Sequence, residues 1–393
     1  MNSPAAPTND SLDIALLTNN YPYAGRPNVG TFVAALAEAW AKNGESVDVI
    51  APLPLLSRNS FSWHHPVLRE KNRPTVAHPI YISYSSVRVG RISTQTWTTR
   101  SFDRAVQRSA RKLAISPHVV YSHFLFPAGW SGLRLARRIR CPAVVALGES
   151  GFEFAEKMQG RAHVVETLRG FDGILSVSQE NAEIVIARYG VDPSRIEIVP
   201  NAVDTELFQP HHRTAMRQKL GLPEDAIILS FAGHFIERKG ALRVVEAMNR
   251  VEGLYGIFLG EGPQQPAGPR VLHAGRVAHS DVPDWLSASD IFVLPTLAEG
   301  SPNAVIEAMA CGLPIVSSDI ASVRETVDKS AAILVDPMDV DAIAAALEEL
   351  MRDESLRLRL GERALECGRQ INLATRARRI RDWLEMLVRS QPQ

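Results

Sequence analysis

The sequence predicts an α/β protein made of two tandem Rossmann-like lobes, each a doubly wound, mainly parallel sheet. Three observations carry that expectation. Short apolar runs alternate with amphipathic stretches along the whole chain, the pattern of repeated βα units. The alternation runs as two series, parted near Asn201-Ala202-Val203-Asp204. The length, 393 residues, exceeds what one hydrophobic core usually organises.

The first series opens with a strand at Leu12–Leu17, a loop holding Gly25 and Gly30, and a helix at Thr31–Lys42. Asn43-Gly44 ends that helix before the strand Val47–Ala51. Strands at Val119–Ser122, Ala143–Leu147, Gly173–Val177 and Ile196–Val199 follow, with helices near Trp97–Leu113, Gly129–Arg140 and Glu180–Tyr189. The second series has strands at Ile227–Ala232, Tyr255–Leu259, Val271–Ala274, Ile291–Leu294, Ile315–Ser318 and Ala332–Val335. Its helices lie near Ala241–Asn249, Val282–Ala288, Pro302–Ala310 and Val340–Arg352. The stretch Val203–Thr214, with Pro210 and His211-His212, reads as a linker. A last helix near Ala374–Val388 carries Ile380, Trp383, Leu384 and Leu387 at helical spacing. It either caps the second lobe or crosses back to the first. In doubly wound sheets ligands bind outside the carboxyl ends of the strands. A ligand in a cleft between two such lobes would touch loops of both.

Composition narrows the function classes. The chain is 45% hydrophobic and 22% charged with a formal net charge of zero, which argues against nucleic acid as the main partner. Charge is unevenly placed: residues 1–140 hold 17 Lys and Arg against 7 Asp and Glu. Cys141, Cys311 and Cys367 are odd in number and widely spaced, favouring a reducing compartment and giving no zinc pattern. The start, MNSPAAPTND, has no basic n-region or apolar h-region, so no secretory signal is expected. No run of about 18 apolar residues occurs, so no transmembrane helix is expected. These readings place the protein in the cytoplasm.

The residues that carry chemistry lie between Pro295 and Asp319, PTLAEGSPNAVIEAMACGLPIVSSD. A buried strand ends at Leu294, and Ser301 is a candidate N-cap with Pro302 at the first helical position. Cys311-Gly312 ends the helix. Its N-terminus presents unpaired N–H groups beside Gly300, where an anion such as a diphosphate can approach. Glu299 precedes that end and Glu307 lies one and a half turns inside. Carboxylates so near a phosphate site are useful where they accept hydrogen bonds from hydroxyls, which sugars and ribose offer. Each glutamate also has a plainer reading as a charge that complements the helix dipole.

This segment resembles the E-x7-E signature of the retaining glycosyltransferases of family 4, with Glu299 and Glu307 at its ends. FAGHFIERKG (Phe231–Gly240) resembles that family's strand and loop ending in Lys-Gly, and FLGEGP (Phe258–Pro263) its glycine-acid-glycine turn. VSQENAEIVIARYG and IEIVPNAVDTELFQP resemble the segment before the interdomain crossing. NNYPYAGRPNVGTFVAALAEAWAKNGESVDVIAP and SHFLFPAG resemble the opening loop and the acceptor-side histidine segment. The likeness spans nearly the whole chain and is weakest from Leu53 to Ser116.

The resemblance implies a GT-B fold: residues 1–205 as an acceptor-side lobe completed by a helix at 374–393, and residues 206–373 as the nucleotide-sugar lobe. It implies that Glu307 accepts from ribose hydroxyls, Glu299 contacts the transferred sugar, and Gly300, Ser301, Pro302, Asn303 and Ala304 hold the sugar and distal phosphate. Lys239 would neutralise the diphosphate, within a loop that also holds Gly233, His234 and Arg238. The base would lie near Gly275-Arg276-Val277 and Glu261-Gly262. From the first lobe, His123 would face the reacting centre, with Gly30 and Glu149 on the acceptor side. Breaking a sugar–phosphate bond builds charge on the diphosphate, which preorganised donors and a lysine stabilise. No Asp-x-Asp stands at a strand end, so no metal or other cofactor is expected.

Three positions depart from the family pattern. His234 stands where Arg is usual, and neutral imidazole is a weaker phosphate partner than guanidinium; Arg238 or Arg276 are substitutes. Ala202 replaces a Gly. ALGESGFEF, with Glu149 and Glu153, replaces a frequent His-Gly-x-Asp. From Arg88 to Arg140 there are eleven Lys and Arg, including Arg91, and one acid, Asp103. Arg100, Arg104, Arg108 and Lys112 form one helical stripe beside Trp97, read either as a solvated face or as a surface for anionic lipid. The expected activity is transfer of a sugar from a UDP- or GDP-sugar to a saccharide or lipid-linked saccharide in envelope or exopolysaccharide synthesis, at the inner face of the membrane. The rival readings are a catalytically weak protein that binds a sugar nucleotide as a sensor or complex partner, and a sugar-nucleotide epimerase.

Overall fold

The computed structural model describes residues 11–23, 29–54, 77–85, 95–149 and 151–390. Gly25 of the opening loop and Arg88 and Arg91 of the basic region lie outside them. The chain forms two compact units, one of residues 1–199 with 374–393, the other Pro200–Leu373.

In the first unit the elements run β1 (Asp13–Thr18), α1 (Thr31–Lys42), β2 (Ser46–Pro54), β3 (His78–Tyr84), α2 (Gln95–Lys112), β4 (Val119–His123), α3 (Trp130–Ile139), β5 (Ala143–Leu147), α4 (Glu153–Gln159), α5 (Arg161–Arg169), β6 (Gly173–Ser176), α6 (Gln179–Tyr189) and β7 (Ile196–Ile198). The strands form one parallel sheet in the order β3-β2-β1-β4-β5-β6-β7. Strands such as β5, AVVAL, are buried at every position, because helices cover both faces of a parallel sheet.

The second unit runs α7 (Arg213–Leu220), β8 (Ile227–Ala232), α8 (Ala241–Arg250), β9 (Leu254–Leu259), β10 (Val271–Gly275), α9 (Val282–Ser287), β11 (Ile291–Leu294), α10 (Asn303–Ala310), β12 (Ile315–Ser318), α11 (Ala321–Arg324), β13 (Ala332–Val335), α12 (Val340–Arg352) and α13 (Glu354–Gln370). Its parallel sheet has the order β10-β9-β8-β11-β12-β13. Asp290, just before β11, is buried and ties the unit together. It takes Arg213 at 2.5 Å, Arg217 at 2.6 Å and the Ile228 N–H at 2.8 Å.

The last helix, α14 (Leu373–Arg389), belongs with the first unit from Ala374 onward. The Trp40 indole donates to the Ala377 carbonyl at 2.9 Å. Buried Glu45 accepts from Arg381 at 3.0 Å and from the Leu12 N–H. Of the two placements the sequence allowed, α14 takes the return to the first lobe.

Several elements differ from the sequence expectations. The segment 203–214 is no free linker: Val203 bridges to Asn372, Phe208 is buried, and His211 meets Asp284 at 2.7 Å. β3, α4, α5, α7 and α13 were not anticipated. In α13 two interior glycines mask the helical pattern, and packing explains them. A Cβ on Gly361 would come within 2.6 Å of the Gly312 carbonyl, and one on Gly368 within 2.7 Å of Ala310 N.

Candidate active site

Both sheets reverse their winding direction at one point, between β1 and β4 and between β8 and β11. That switch point is where loops diverge and leave room for a ligand. In the second unit the loops after β8 and β11 carry most of the residues singled out by sequence. Gly233, His234, Arg238 and Lys239 follow β8; Glu299 to Ala304 follow β11.

The two loops are stitched by hydrogen bonds that run through Arg238. The Arg238 carbonyl accepts from Leu297 N–H at 2.8 Å and from the Thr296 hydroxyl at 3.3 Å. The Arg238 guanidinium donates in turn to the Ala298 carbonyl. This brings Lys239 Nζ onto Glu299 Oε1 in a largely buried ion pair, while Arg238 lies 3.8 Å from Oε2. The sequence assigned Lys239 and Glu299 separate roles and did not anticipate their pairing, since 60 residues separate them. In this partly desolvated place the two cations and one carboxylate leave a net positive charge beside the start of α10.

α10 begins one residue later than the sequence reading. Pro302, not Ser301, occupies the N-cap, and no side chain caps the helix. Ser301 is engaged elsewhere: its hydroxyl accepts from Asn201 N–H at 3.2 Å and its carbonyl from the Asn201 amide at 3.3 Å. The N–H groups at the head of α10, which opens just after Glu299, are left without a side-chain cap. Asn303 Oδ1 in the first turn is buried without a partner. Gly300 is buried, and Ala304 packs partly against the core. Glu307 lies further along α10, and burial pushes its carboxyl up to about 8.

On the other flank, the glycine-acid-glycine turn after β9 presses against the β8 loop. A Cβ on Gly260 would fall 1.9 Å from the Gly233 carbonyl, and one on Gly262 2.3 Å from the Phe235 carbonyl. Gly233 N–H donates to Leu259 at 2.9 Å, and Phe235 N–H to the Glu261 carbonyl at 2.8 Å. The Glu261 carboxylate meets Arg276 at 3.3 Å, so Arg276 is engaged at this turn. Val277 follows β10 and packs against the core. His234 is exposed.

In the first unit, His123 ends β4, paired in register with Thr18 of β1. It is 2% exposed, with its ring 5.2 Å from Phe32 and 4.7 Å from Phe124. Burial first, and the Arg376 guanidinium second, lower its pKa to about 3. The imidazole is neutral at physiological pH, and its Nδ1 has no partner. Gly30 caps α1 with φ 67°, and a Cβ there would lie 2.1 Å from the Asn20 carbonyl, so only glycine fits. Glu149, two residues beyond β5, accepts from Leu125 N–H at 2.7 Å through Oε1. Its Oε2 is buried and unpartnered, and burial pushes the carboxyl up to about 7 against the pull of backbone hydrogen bonds.

The sequence matches known proteins over most of its length. Residues 29–207 fit the family model described as Glycosyltransferase Family 4, and residues 226–353 the one described as Glycosyl transferases group 1. The chain belongs to the family 4 glycosyltransferases. Over 358 residues this glycosyltransferase is 25% identical to the putative teichuronic acid biosynthesis glycosyltransferase TuaC of Bacillus subtilis, covering 86% of this chain and 88% of that one. It is 31% identical over 223 residues to a D-inositol 3-phosphate glycosyltransferase of Xylanimonas cellulosilytica, covering 51% and 53%. It is 28% identical over 239 residues to the UDP-Gal:alpha-D-GlcNAc-diphosphoundecaprenol alpha-1,3-galactosyltransferase of Escherichia coli, covering 55% and 60%. The chain thus spans only about half the length of the latter two relatives. Among solved structures, sucrose-phosphate synthase from Thermosynechococcus elongatus superposes with a TM-score of 0.78 at 21% identity, covering 97% of this chain and 100% of that one. Anabaena HepE in complex with UDP-glucose gives 0.74 at 15% identity, covering 95% and 100%. These likenesses establish the GT-B fold of two parallel-sheet lobes.

Proposed function

We propose that this glycosyltransferase moves a sugar, with retention and without a metal, from a UDP- or GDP-sugar to a saccharide or lipid-linked saccharide. The observation that carries the reading is the Lys239–Glu299 pair beside the uncapped head of α10, with Glu307 further along the same helix. The helix end and Lys239 meet the charge growing on the leaving diphosphate, the task a metal would otherwise perform. Glu299 takes hydroxyls of the transferred sugar and Glu307 those of the ribose. His123, neutral, serves the acceptor side, and Glu149 serves it only through the turn that it holds. Relatives named for teichuronic acid biosynthesis and for a diphosphoundecaprenol acceptor support the saccharide and lipid-linked classes. The test is nucleotide release from UDP-glucose, UDP-galactose, UDP-N-acetylglucosamine and GDP-mannose. Slow release from at least one donor is expected. Tight binding of a donor with no release from any would instead favour the sensor reading, to which exposed His234 lends weight.

A pH dependence follows from Glu307. Its carboxyl titrates at about 8 in the fold against 4.5 ordinarily. Between those values the folded state holds a proton that the unfolded chain has lost, so this group's contribution to stability falls as pH rises through the window. Ribose hydroxyls donating to the carboxylate favour its ionised form. Nucleotide binding near pH 7 should therefore release up to about one proton, and affinity should rise with pH and level off above about 8. Calorimetry in two buffers of different ionisation enthalpy measures the release, which Glu307→Gln should abolish.

We also propose peripheral contact with anionic membrane through α2, on the inner face of the cell membrane. Arg100, Arg104 and Arg108 are exposed, as is Trp97 at 45%. Asp103 on the same helix is buried and taken up by Arg134 at 3.1 Å. No described helix is long and apolar enough to cross a membrane. At about 1 kcal/mol per basic residue near the surface, reversing all three arginines to Glu should lower partitioning onto anionic vesicles by about a hundredfold or more. An unchanged vesicle pellet would remove this surface from the account.

A further inference from the structure

We propose that Glu149 is a positioning residue for His123, holding the turn after β4 through its hydrogen bond to Leu125 N–H. The inference rests on the reading above, in which His123 takes part in turnover.

The turn that begins at His123 is held in an unusual backbone conformation. Phe124 has φ 70° and ψ 150°, a geometry that a residue with a Cβ keeps only where its surroundings impose it. Three hydrogen bonds impose it here. Phe124 N–H donates to the Ala146 carbonyl at 2.9 Å, and Gly129 N–H donates to the Phe124 carbonyl at 2.9 Å. The third is Leu125 N–H to Glu149 Oε1 at 2.7 Å. The first two are main-chain bonds. The third alone is made by a side chain, so a substitution at Glu149 can remove it.

The brace is itself anchored. The Glu149 carbonyl accepts from the Asn181 side-chain amide at 2.8 Å, and Asn181 is buried on α6. Glu149 thereby links the head of α6, the end of β5 and the turn after β4. The Phe124 ring lies 4.7 Å from the His123 ring, nearly perpendicular to it. A shift at Leu125 moves Phe124 first and the imidazole next, because the half-buried Phe124 ring packs directly against the buried imidazole.

The test uses Glu149→Met, which keeps side-chain length but offers Leu125 N–H no strong acceptor, and Glu149→Gln, whose amide oxygen can replace Oε1. With the donor of the panel that wild type turns over fastest, Glu149→Met should lower kcat about tenfold, the scale of one lost hydrogen bond. Nucleotide affinity should stay within about twofold, and Glu149→Gln should retain activity within about threefold. In a His123→Ala background, Glu149→Met should cause no further loss, since the two act as a unit. Full activity of Glu149→Met, or losses that multiply independently in the double variant, would overturn the proposal. Amide exchange at Leu125 gives a readout without turnover: about tenfold faster in Glu149→Met and unchanged in Glu149→Gln. If wild type releases nucleotide from no donor, the donor reading fails, and exchange decides this one alone: an unaltered Leu125 rate in Glu149→Met overturns it.

Discussion

Glu299→Ala should lower nucleotide release from the best donor by about a hundred- to a thousandfold while leaving nucleoside diphosphate binding intact or slightly tighter. Glu299 is the carboxylate between the β11 strand end and α10, and Lys239 and Arg238 both face it. Removing it takes away the group proposed to hold the sugar, so the loss falls on turnover. It also frees Lys239 from its ion pair, and an unpaired ammonium beside the helix head attracts diphosphate more strongly. The two effects have opposite signs on kcat and on nucleotide affinity. A general loss of folding could not produce that pattern, and parallel nucleotide titrations and donor turnover separate the cases. Lost affinity in Glu299→Ala would mean that the carboxylate orders the loop rather than the sugar.

Asp290→Ala should destabilise the second unit by about 3–5 kcal/mol, lowering its unfolding midpoint by on the order of ten degrees. Arg217 is buried, and its guanidinium relies on Asp290 Oδ2 at 2.6 Å. The same oxygen receives Ile228 N–H at the start of β8. Truncation leaves a buried cation short of its counter-charge and a strand-end N–H without an acceptor, two costs that add. Arg217 keeps bonds to the Ala288 and Ala226 carbonyls at 2.9 Å, which holds the effect below that of a fully orphaned charge. Asp290→Asn should be milder, since it can still accept from Ile228. Scanning calorimetry on the two variants gives the comparison.

Much of this architecture is legible in the sequence because it rests on local signals. Buried parallel strands read as apolar runs, and the head of α10 is marked by Gly300, Ser301 and Pro302 within three residues. The E-x7-E segment marks the loop after the strand that ends at Leu294 without any coordinates. What stays hidden depends on contacts between distant residues. The Lys239–Glu299 pair needs the loops after β8 and β11 to be stitched through Arg238 and Leu297. Ser301 looks like a cap by its type, yet Asn201, a hundred residues earlier, claims its hydroxyl. Glu149 reads as a departure from a family pattern, whereas its bond to Leu125 appears only when the ends of β4 and β5 lie side by side. The glycines of α13 break the helical pattern in sequence, and their reason shows only where Gly368 meets the end of α10 and Gly361 the turn after it.

We propose above all that the second lobe holds a nucleoside diphosphate between Lys239, the head of α10 and Glu307. Titration of UDP and GDP into wild type, Lys239→Ala and Glu307→Leu tests it most directly. Saturable binding of one nucleotide to wild type is expected, and at least about tenfold weaker binding to each variant, the worth of one charge-assisted hydrogen bond. Binding that is unaffected by both substitutions, or no binding of either nucleotide at millimolar concentration, would contradict it.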